Sequence, residues 1–516
     1  MVTNTLVLGK VKIGEIFTPI SWAQWLLDRW NVFDRWTEGE SVCDPTAGTG
    51  IFAKALIAKA VRLRMHISEE MLGRLHIVEL KNDHLRNFSN NVREELGISF
   101  PSTSLHQRDI ITHPLDRKFD ILVGNPPWSN FTDLPDIYKE ILKMYFIEYG
   151  LVPNRKAVLL GSSRTDIAAL VLKVVLQNML KDNGDGYFYT PLSLFAGDDA
   201  HIGFRDYRSK TIHFSVKEVY EFTGVKIFGA VRTSYCAVHF KRNVKQTFPV
   251  SYYRGDGNQS IKFKAYPLKK ISDPWRIVGL DENAEELDAI QVKIGSHQKP
   301  RQGVNTCGAN SVFIFDSFPD FIDPEYIFPL ASKEIWRERI LSPKKWIFLP
   351  YEIGSSRPLS EKRIQSARSY GYLCGHKRKL KSRKGTLIRS AIDKGLWWSL
   401  LGVGPYSFAP YKVMWEAYGK HTFSPMVLGV YDGKPWQANQ AMHAFIPCWE
   451  QKDAERICKE LSSPSISRLL SELNGQGKCN FAQPGKIKKI LHLPYGSSEQ
   501  MLLLESKSRQ RTRQGR

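Results

Sequence analysis

Residues 41–64, SVCDPTAGTGIFAKALIAKAVRLR, carry the strongest indication of the fold. Ser41–Asp44 predicts a short strand that runs into a glycine-containing loop, Asp44–Gly50. From Ile51 to about Arg64 the chain is rich in Ala, Leu and Ile, which predicts a helix. Glycines in such a loop let the backbone approach a ligand closely, and the start of the helix offers free N–H groups. The order is typical of dinucleotide-binding folds, although a tight turn without a ligand uses the same residues.

The alternation of strand-like and helix-like segments continues to about residue 245. Residues 75–80 predict a second strand, and Phe119–Gly124 predicts a further one that is apolar enough to be buried on both faces. Residues 165–180 are almost entirely apolar and predict a buried helix. Later strands are predicted at residues 186–191, 216–222 and 235–241. This pattern favours an α/β fold with a mostly parallel sheet.

The sequence pattern of the chain changes after about Lys245. Regular alternation fades, Pro and Gly become frequent, and six Lys or Arg occupy the eight positions from Lys377 to Lys384. We therefore predict a first domain at 1–245, a second domain at 246–504 and a basic flexible tail at 505–516.

The charge of the chain indicates a polyanionic partner. The 516 residues include 73 Lys and Arg against 52 Asp and Glu, a net charge of +21, and nucleic acid is the commonest partner of so basic a protein. A solvated face explains each charge run equally well. The seven cysteines form no Cys-x-x-Cys pair, and no stretch of about 20 apolar residues exists. We expect no zinc ribbon, no membrane span and a reducing, cytoplasmic compartment.

Three acidic residues stand where a cofactor site of this fold needs them. Asp44 follows the first strand, where it could accept from an ammonium group. Glu79 ends the next strand and is placed to bind ribose hydroxyls. Asp109 lies in residues 106–110, which could end a third strand, and it could face an adenine amine, although an ordinary surface Asp is an alternative for this residue.

The most specific motif is Asn125-Pro126-Pro127-Trp128, directly after the buried strand Phe119–Gly124. The two prolines fix the backbone, and Pro126 keeps a carbonyl while lacking an N–H. The side-chain oxygen of Asn125 and this carbonyl could both accept from one exocyclic NH₂ group. Trp128 offers a flat face for a base to stack on.

These motifs together resemble the S-adenosylmethionine-dependent N6-adenine DNA methyltransferases of restriction–modification systems, in the gamma order of motifs. The resemblance is strongest over residues 14–240, and residues 14–19 look like the N-terminal motif of the family. It implies catalytic roles for Asn125, Pro126, Pro127 and Trp128. It implies cofactor contacts for residues of the N-terminal motif, the glycine loop and the two further acids, namely Thr18, Pro19, Asp44, Ala47, Gly48, Gly50, Glu79 and Asp109.

The resemblance also implies an architecture and partners. We expect a Rossmann-like class I methyltransferase domain with a mostly parallel seven-stranded sheet, followed by a mixed α+β target-recognition domain. The implied cofactor is S-adenosyl-L-methionine, with no metal, and the implied partner is double-stranded DNA in the nucleoid. The chain begins close to the cofactor motif, so we expect a stand-alone modification subunit whose restriction endonuclease, if any, is separately encoded.

Trp128 departs from the family, in which Tyr is commoner at this position. The family also implies an aromatic residue that stacks on the flipped base from the segment after Pro191, with Phe195 and His201 as candidates. Four other functions remain open: an N4-cytosine DNA methyltransferase, an RNA adenine methyltransferase, a glutamine-directed protein methyltransferase and a catalytically degenerate recognition subunit.

Overall fold

The computed structural model describes residues 16–152, 165–197, 199–229, 231, 233–280, 292–338, 341–418, 422–474 and 482–492. The chain divides into two compact units, Met1–Ala284 and Glu285–Arg516. The structure therefore corrects the predicted boundary between 245 and 246, which falls inside the first unit. The predicted tail at 505–516, and Gly14 and Glu15 of the N-terminal motif, lie outside the described residues.

The first unit alternates helices and strands. Its helices are α1 (Ile20–Arg29), α2 (Val32–Thr37), α3 (Ile51–Arg62), α4 (Glu69–Gly73), α5 (Asn82–Leu96), α6 (Asp136–Glu148), α7 (Ile167–Asn178) and α8 (Ser193–Ala196). Its strands are β1 (Val42–Asp44), β2 (Leu75–Glu79), β3 (Leu105–Gln107), β4 (Phe119–Gly124), β5 (Leu180–Pro191), β6 (Arg208–Ser209), β7 (Ile212–Phe222), β8 (Tyr235–Arg242), β9 (Val250–Gly255), β10 (Ser260–Pro267) and β11 (Trp275–Gly279).

All of these strands belong to one sheet, in the order β11-β10-β9-β7-β8-β5-β4-β1-β2-β3, with β6 paired to β7. The five strands β3, β2, β1, β4 and β5 are parallel to one another, and β8 is antiparallel to both β5 and β7. The seven neighbouring strands in the order β7-β8-β5-β4-β1-β2-β3 confirm the predicted seven-stranded, mostly parallel sheet. Neighbouring residues of its strands face two separate apolar cores, as Ile121 and Leu122 of β4 do, because both faces are covered.

Three strands that the sequence did not predict extend this sheet. β9 pairs in parallel with β7, and β10 and β11 follow as antiparallel strands. The first unit continues past the predicted boundary at 245, because β9 begins at Val250 and extends the hydrogen-bonded ladder of the sheet. This continuation places the division between the units at 284 rather than at 245.

The glycine loop enters α3 through Gly50, which is left-handed with φ of 72°. A Cβ atom built on Gly50 would lie 2.2 Å from the ring of Phe88 in α5. Both the backbone conformation and the packing therefore require glycine at this position.

The second unit combines short helices with mostly antiparallel sheets, in agreement with the predicted mixed α+β character. Its helices are α9 (Asn310–Phe313), α10 (Lys333–Glu338), α11 (Glu361–Gln365), α12 (Tyr370–Gly375), α13 (Lys377–Lys381), α14 (Thr386–Asp393), α15 (Gln451–Leu461), α16 (Pro464–Asn474) and α17 (Pro484–Ile490). Its strands are β12 (Val292–Lys293), β13 (Arg301–Gln302), β14 (Ile314–Phe315), β15 (Ile327–Pro329), β16 (Trp346–Phe348), β17 (Tyr411–Glu416), β18 (Met426–Leu428), β19 (Val430–Tyr431), β20 (Lys434–Pro435), β21 (His443–Cys448) and β22 (Leu491–His492).

The larger sheets of this unit are the four-stranded β13-β21-β17-β18 and the three-stranded β14-β16-β15. Among the helices that the structure describes, none is long and apolar enough to cross a membrane.

Replacing Gly50 by Ala should destabilise the protein more than the same change at Gly97. Gly97 has a similar φ of 69°, but a Cβ there meets nothing within 4 Å. The Gly97→Ala variant should lose about 1 kcal/mol of unfolding free energy through backbone strain alone. Gly50→Ala should lose a further ~1–3 kcal/mol, because Phe88 must move. Urea unfolding of both variants measures the difference. Equal losses of unfolding free energy would show that the Phe88 ring moves aside at no energetic cost.

Candidate active site

A cavity of about 900 Å³, its mouth included, lies where the parallel strands end at their carboxyl edge. This size is sufficient for a cofactor of nucleotide dimensions. Eight of the twelve site residues predicted from the sequence line it, namely Thr18, Asp44, Ala47, Gly48, Glu79, Asp109, Asn125 and Pro127. The other four, Pro19, Gly50, Pro126 and Trp128, are not among its lining residues.

Asp44, the last residue of β1, places a buried carboxyl group in the wall of this cavity. It is 2% exposed, and its Oδ1 accepts from the backbone N–H of Thr46 at 3.1 Å. Burial raises the pKa of Asp44 to about 8, the Thr46 N–H opposes this rise, and the charge of Glu79 adds to it. A carboxylate that is this costly to ionise gains most from a cationic ligand.

Glu79, at the end of β2, connects its strand to the glycine loop. Its Oε2 accepts from the backbone N–H of Gly48 at 2.8 Å, and its Oε1 accepts from that of Lys81 at 2.9 Å. Nδ1 of His84 lies 3.6 Å from the same Oε1. The carboxylate is therefore held in position at the cavity wall.

Asp109 lies two residues beyond the end of β3, in the loop rather than in the strand. It is 6% exposed, and its Oδ1 accepts from the backbone N–H of Ile111 at 2.9 Å. Burial raises its pKa, although the N–H groups of Ile111 and Thr112 oppose the rise. The alternative of an ordinary surface Asp is wrong, since the residue is buried in the cavity wall.

Asn125, directly after β4, has a side-chain amide of fixed orientation. Its Nδ2 donates to the carbonyl oxygen of Ile16 at 3.0 Å and to Oγ1 of Thr18 at 3.2 Å. A carbonyl only accepts, so the nitrogen must face Ile16 and the oxygen must face away from it. Oδ1 is buried and has no hydrogen-bond partner within the described residues. Buried polar atoms without partners are rare, and this one belongs to a residue that lines the cavity.

Trp128 is more enclosed than the sequence indicated. It is 8% exposed and packs edge-to-face against Phe228, with ring centroids 5.0 Å apart, and at a tilt against Tyr235 at 5.9 Å. Its Nε1 has no partner among the described residues. Trp128 thus anchors the end of the tetrapeptide in an aromatic core.

Neither of the two residues predicted to stack on a base lines the cavity. Phe195 has no exposed surface and packs against Phe204, Phe240 and Trp275, so it is not available for stacking. His201 is 4% exposed, and burial together with Arg205 lowers its pKa to about 3. Both residues after β5 therefore belong to the packed interior, and neither faces the cavity.

Sequence reasoning missed several residues of the cavity wall. Phe17 is 55% exposed and packs edge-on against His84, with ring centroids 6.0 Å apart, at the glycine loop. Tyr138 in α6 donates to Oδ2 of Asp109 at 3.5 Å. Thr46 contributes a buried hydroxyl without a partner in the described part of the chain. Phe17 and Thr46 lie inside motifs that were recognised, whereas only tertiary structure brings Tyr138 to the cavity.

Within the described residues no group of three or more His, Cys, Asp or Glu is arranged to hold a metal ion.

The tetrapeptide loop and the acids around the cavity fall largely within one recognised domain. Residues 56–228 match the family model of the Eco57I restriction-modification methylase. This match confirms the restriction–modification methyltransferase domain that the motifs indicated. It includes Glu79, Asp109 and the tetrapeptide, and it begins after the glycine loop. No curated protein matches the chain in sequence.

Two solved structures align with most of the chain. The type IIL restriction-modification enzyme MmeI, in complex with DNA, is 12% identical over 87% of this chain, with a TM-score of 0.50. The chain spans 62% of the length of the MmeI chain. The DrdV–DNA complex is 12% identical, covers 84% of this chain and 49% of its own, and has a TM-score of 0.48.

Replacing Asp44 by Asn should stabilise the ligand-free protein increasingly as the pH rises from about 4 to about 8. An Asp in an unfolded chain ionises near pH 4, whereas folded Asp44 ionises near 8, so unfolding in this window releases a proton. The wild-type protein therefore loses stability as the pH rises, and Asp44→Asn does not. Thermal melting should show a gain of at least about 1 kcal/mol above pH ~8 and almost none near pH 4.

Asp120 in β4 provides a control of opposite sign. Burial raises its pKa, but the ammonium group of Lys181 and the donors of Ser41 outweigh burial, and the pKa lies below its usual value. Its charge therefore contributes stability above pH ~4, which is lost as the pH falls through the folded pKa. Asp120→Asn should lower the melting temperature at neutral pH. A fall in both variants would contradict the proposed cost of the Asp44 charge.

Proposed function

We propose that the protein is an S-adenosylmethionine-dependent DNA methyltransferase that modifies the N6 amine of adenine in duplex DNA. The observation that carries this proposal is the buried Oδ1 of Asn125, which has no hydrogen-bond partner among the described residues and lies in a cavity that also contains Asp44 and the glycine loop. An amide oxygen held in this way is suited to accept from an exocyclic amine. The methylase-family match over residues 56–228 supports the same reaction class.

The residues of the cavity fit S-adenosyl-L-methionine. Asp44 is a buried carboxyl group whose charge an ammonium group would stabilise. Glu79 offers carboxylate oxygens for ribose hydroxyls, and Asp109 lies beside the apolar Ile110 and Ile111, which suit a flat purine. The hydroxyl of Thr46, which has no hydrogen-bond partner in the part of the chain that the structure describes, offers a further polar contact. When bound, the cofactor supplies a methyl group made electrophilic by its sulfonium.

The contribution of the chain to the chemistry is to make an amine nucleophilic. The lone pair of an exocyclic amine on a base is delocalised into the ring and reacts poorly. Acceptance of its N–H bonds by Asn125 Oδ1 and the Pro126 carbonyl localises that pair as positive charge develops on nitrogen. Dipoles fixed in advance stabilise the developing charge more than the ground state. The contacts of Ile16 and Thr18 with Nδ2 keep Asn125 in this orientation.

The proposal requires the target base to leave the DNA stack, because a paired amine is not accessible to the cavity. An adenine N6 amine and a cytosine N4 amine satisfy the same two acceptors. We favour adenine because the order of motifs resembles that of the adenine enzymes, and the experiment below distinguishes the two bases.

The test is transfer of labelled methyl groups from S-adenosyl-L-methionine to mixed-sequence duplex DNA, followed by nucleoside analysis. Label in N6-methyladenine is the expected result. Label in N4-methylcytosine would correct the base and retain the mechanism. Parallel reactions with RNA and with protein cover the other substrates, and label in RNA or in protein glutamine, with none in DNA, would replace the proposed substrate. The absence of all transfer by protein that binds the cofactor would indicate a degenerate recognition subunit.

Replacing Asn125 by Ala should reduce the single-turnover rate by about 10²-fold or more, because one of two acceptors is lost. Cofactor affinity, measured by calorimetry, should show that the cavity remains folded. Asn91→Ala, on the exposed face of α5, is the matched control and should retain the wild-type rate. Near-normal turnover of Asn125→Ala would eliminate the assigned role.

Thr18 should act as a positioning residue for Asn125. Thr18→Val removes the hydroxyl that accepts from Nδ2 and keeps the shape of the side chain, whereas Thr18→Ser keeps the hydroxyl. At saturating cofactor we expect the single-turnover rate of Thr18→Val to fall on the order of tenfold and that of Thr18→Ser to stay close to wild type. Equal rates for the two variants would remove Thr18 from this role.

A further inference from the structure

A dense basic surface lies on the second unit at residues 361–394, which include α11, α12, α13 and α14. This segment contains eleven Lys and Arg but only two acids, Glu361 and Asp393. The whole chain has a net charge of +21, so a large part of its excess lies in this one segment. Ten of the eleven cationic side chains are exposed, and Arg383 is the exception. We call these ten side chains the basic patch.

The charges of the basic patch are not neutralised by the described part of the protein. None of its side chains forms an ion pair with a described residue, whereas Arg29, Arg35 and Lys54 of the first unit pair with acids at 2.6–2.7 Å. The hydrogen bonds of the patch go to uncharged oxygens, as from Lys379 to Oγ of Ser311 at 2.6 Å and from Arg368 to the Asp320 carbonyl at 3.0 Å. Like charges kept this close repel one another, which an anionic partner would relieve.

The helices that carry the basic patch pack on a hydrophobic core. Leu373, Leu380 and Ile388 are fully buried, so the helices turn apolar residues inward and cations outward. The buried Arg383, in the connection between α13 and α14, donates to the carbonyls of Trp397 at 2.7 Å and Ser399 at 2.8 Å. The patch is therefore a surface of defined shape, in contrast to a charged tail.

We propose that the basic patch binds the phosphate backbone of duplex DNA. This inference rests on the proposed function in one respect, the choice of DNA as the polyanion. A membrane surface is a poorer partner, because Leu387 is the one large apolar residue of the segment that is strongly exposed. Phosphate contacts carry no sequence information, so the patch strengthens binding to all sequences equally and positions the DNA.

The test compares two triple variants of the full chain. The patch variant is Arg378→Gln with Lys381→Gln and Lys384→Gln; all three side chains are exposed and without ion pairs in the described residues. The control variant is Lys333→Gln with Arg337→Gln and Lys452→Gln, three exposed cations of the same unit outside the patch. Both variants lose the same charge, and Gln is nearly as good a helix former as Lys or Arg.

The measurement is the affinity for mixed-sequence duplex DNA between about 50 and 200 mM salt. The plot of log affinity against log salt should become shallower by about 3 for the patch variant, about 1 for each lost contact, with a loss of affinity of about tenfold or more. The control variant should keep the wild-type slope. Unchanged melting temperature and cofactor affinity exclude misfolding as the cause.

An unchanged slope in the patch variant, or equal changes in both variants, would overturn the proposal. A patch-dependent slope seen with duplex RNA and not with DNA would overturn the choice of partner. Failure of the proposed function is distinguishable from these outcomes. If the protein binds DNA through the patch but transfers no methyl group to it, only the proposed function is contradicted. If the protein methylates DNA and the patch variant binds DNA normally, only the proposed role of the basic patch is contradicted.

Discussion

The parallel pairing of β1 with β4 is the constraint on which the candidate site depends. Val42 pairs with Ile121 and Cys43 with Leu122, so both strands end at the same edge of the sheet. Asp44 then lies beside Gly124, where a Cβ atom would approach its Oδ1 to 2.9 Å. A side chain at Gly124 would displace the carboxyl group. The ladder thus places an acidic group and the amide that follows β4 in one cavity, although they are far apart in the sequence.

The charge balance of the cavity wall, which includes one arginine, Arg108, differs from that of the whole chain. The cavity wall contains Asp44, Glu79 and Asp109, while the chain as a whole is strongly basic. In the proposed function the two sets have different partners. Buried acids favour a cationic cofactor, because burial weakens solvent screening and makes each charge costly alone. Exposed cations favour a polyanion, whose counterions are released to bulk water. The buried acids would repel a polyanion, and the exposed cations would repel a cationic cofactor.

The sequence predicted well those features that depend on a few neighbouring residues. β4 has the predicted bounds, and α3 starts at Ile51 as expected, because apolar runs and glycines determine these elements locally. The extension β9–β11 was missed, since β9 and β10 are partly exposed and lack a continuous apolar pattern. The same limitation explains the misplaced boundary at 245. Phe195 was a reasonable candidate by position, but burial is decided by packing against distant residues such as Trp275.

The tetrapeptide shows why motif recognition alone does not explain a site. Its first residue, Asn125, is held by Thr18 and Ile16 from before α1, and its last, Trp128, is held by Phe228 and Tyr235 near β8. The loop is therefore fixed at both ends by segments about a hundred residues away on either side. Preorganisation of this kind has to be supplied by tertiary contacts, because a free loop would lose its orientation to water. A tetrapeptide with the same letters in another fold would have the chemical groups without the geometry.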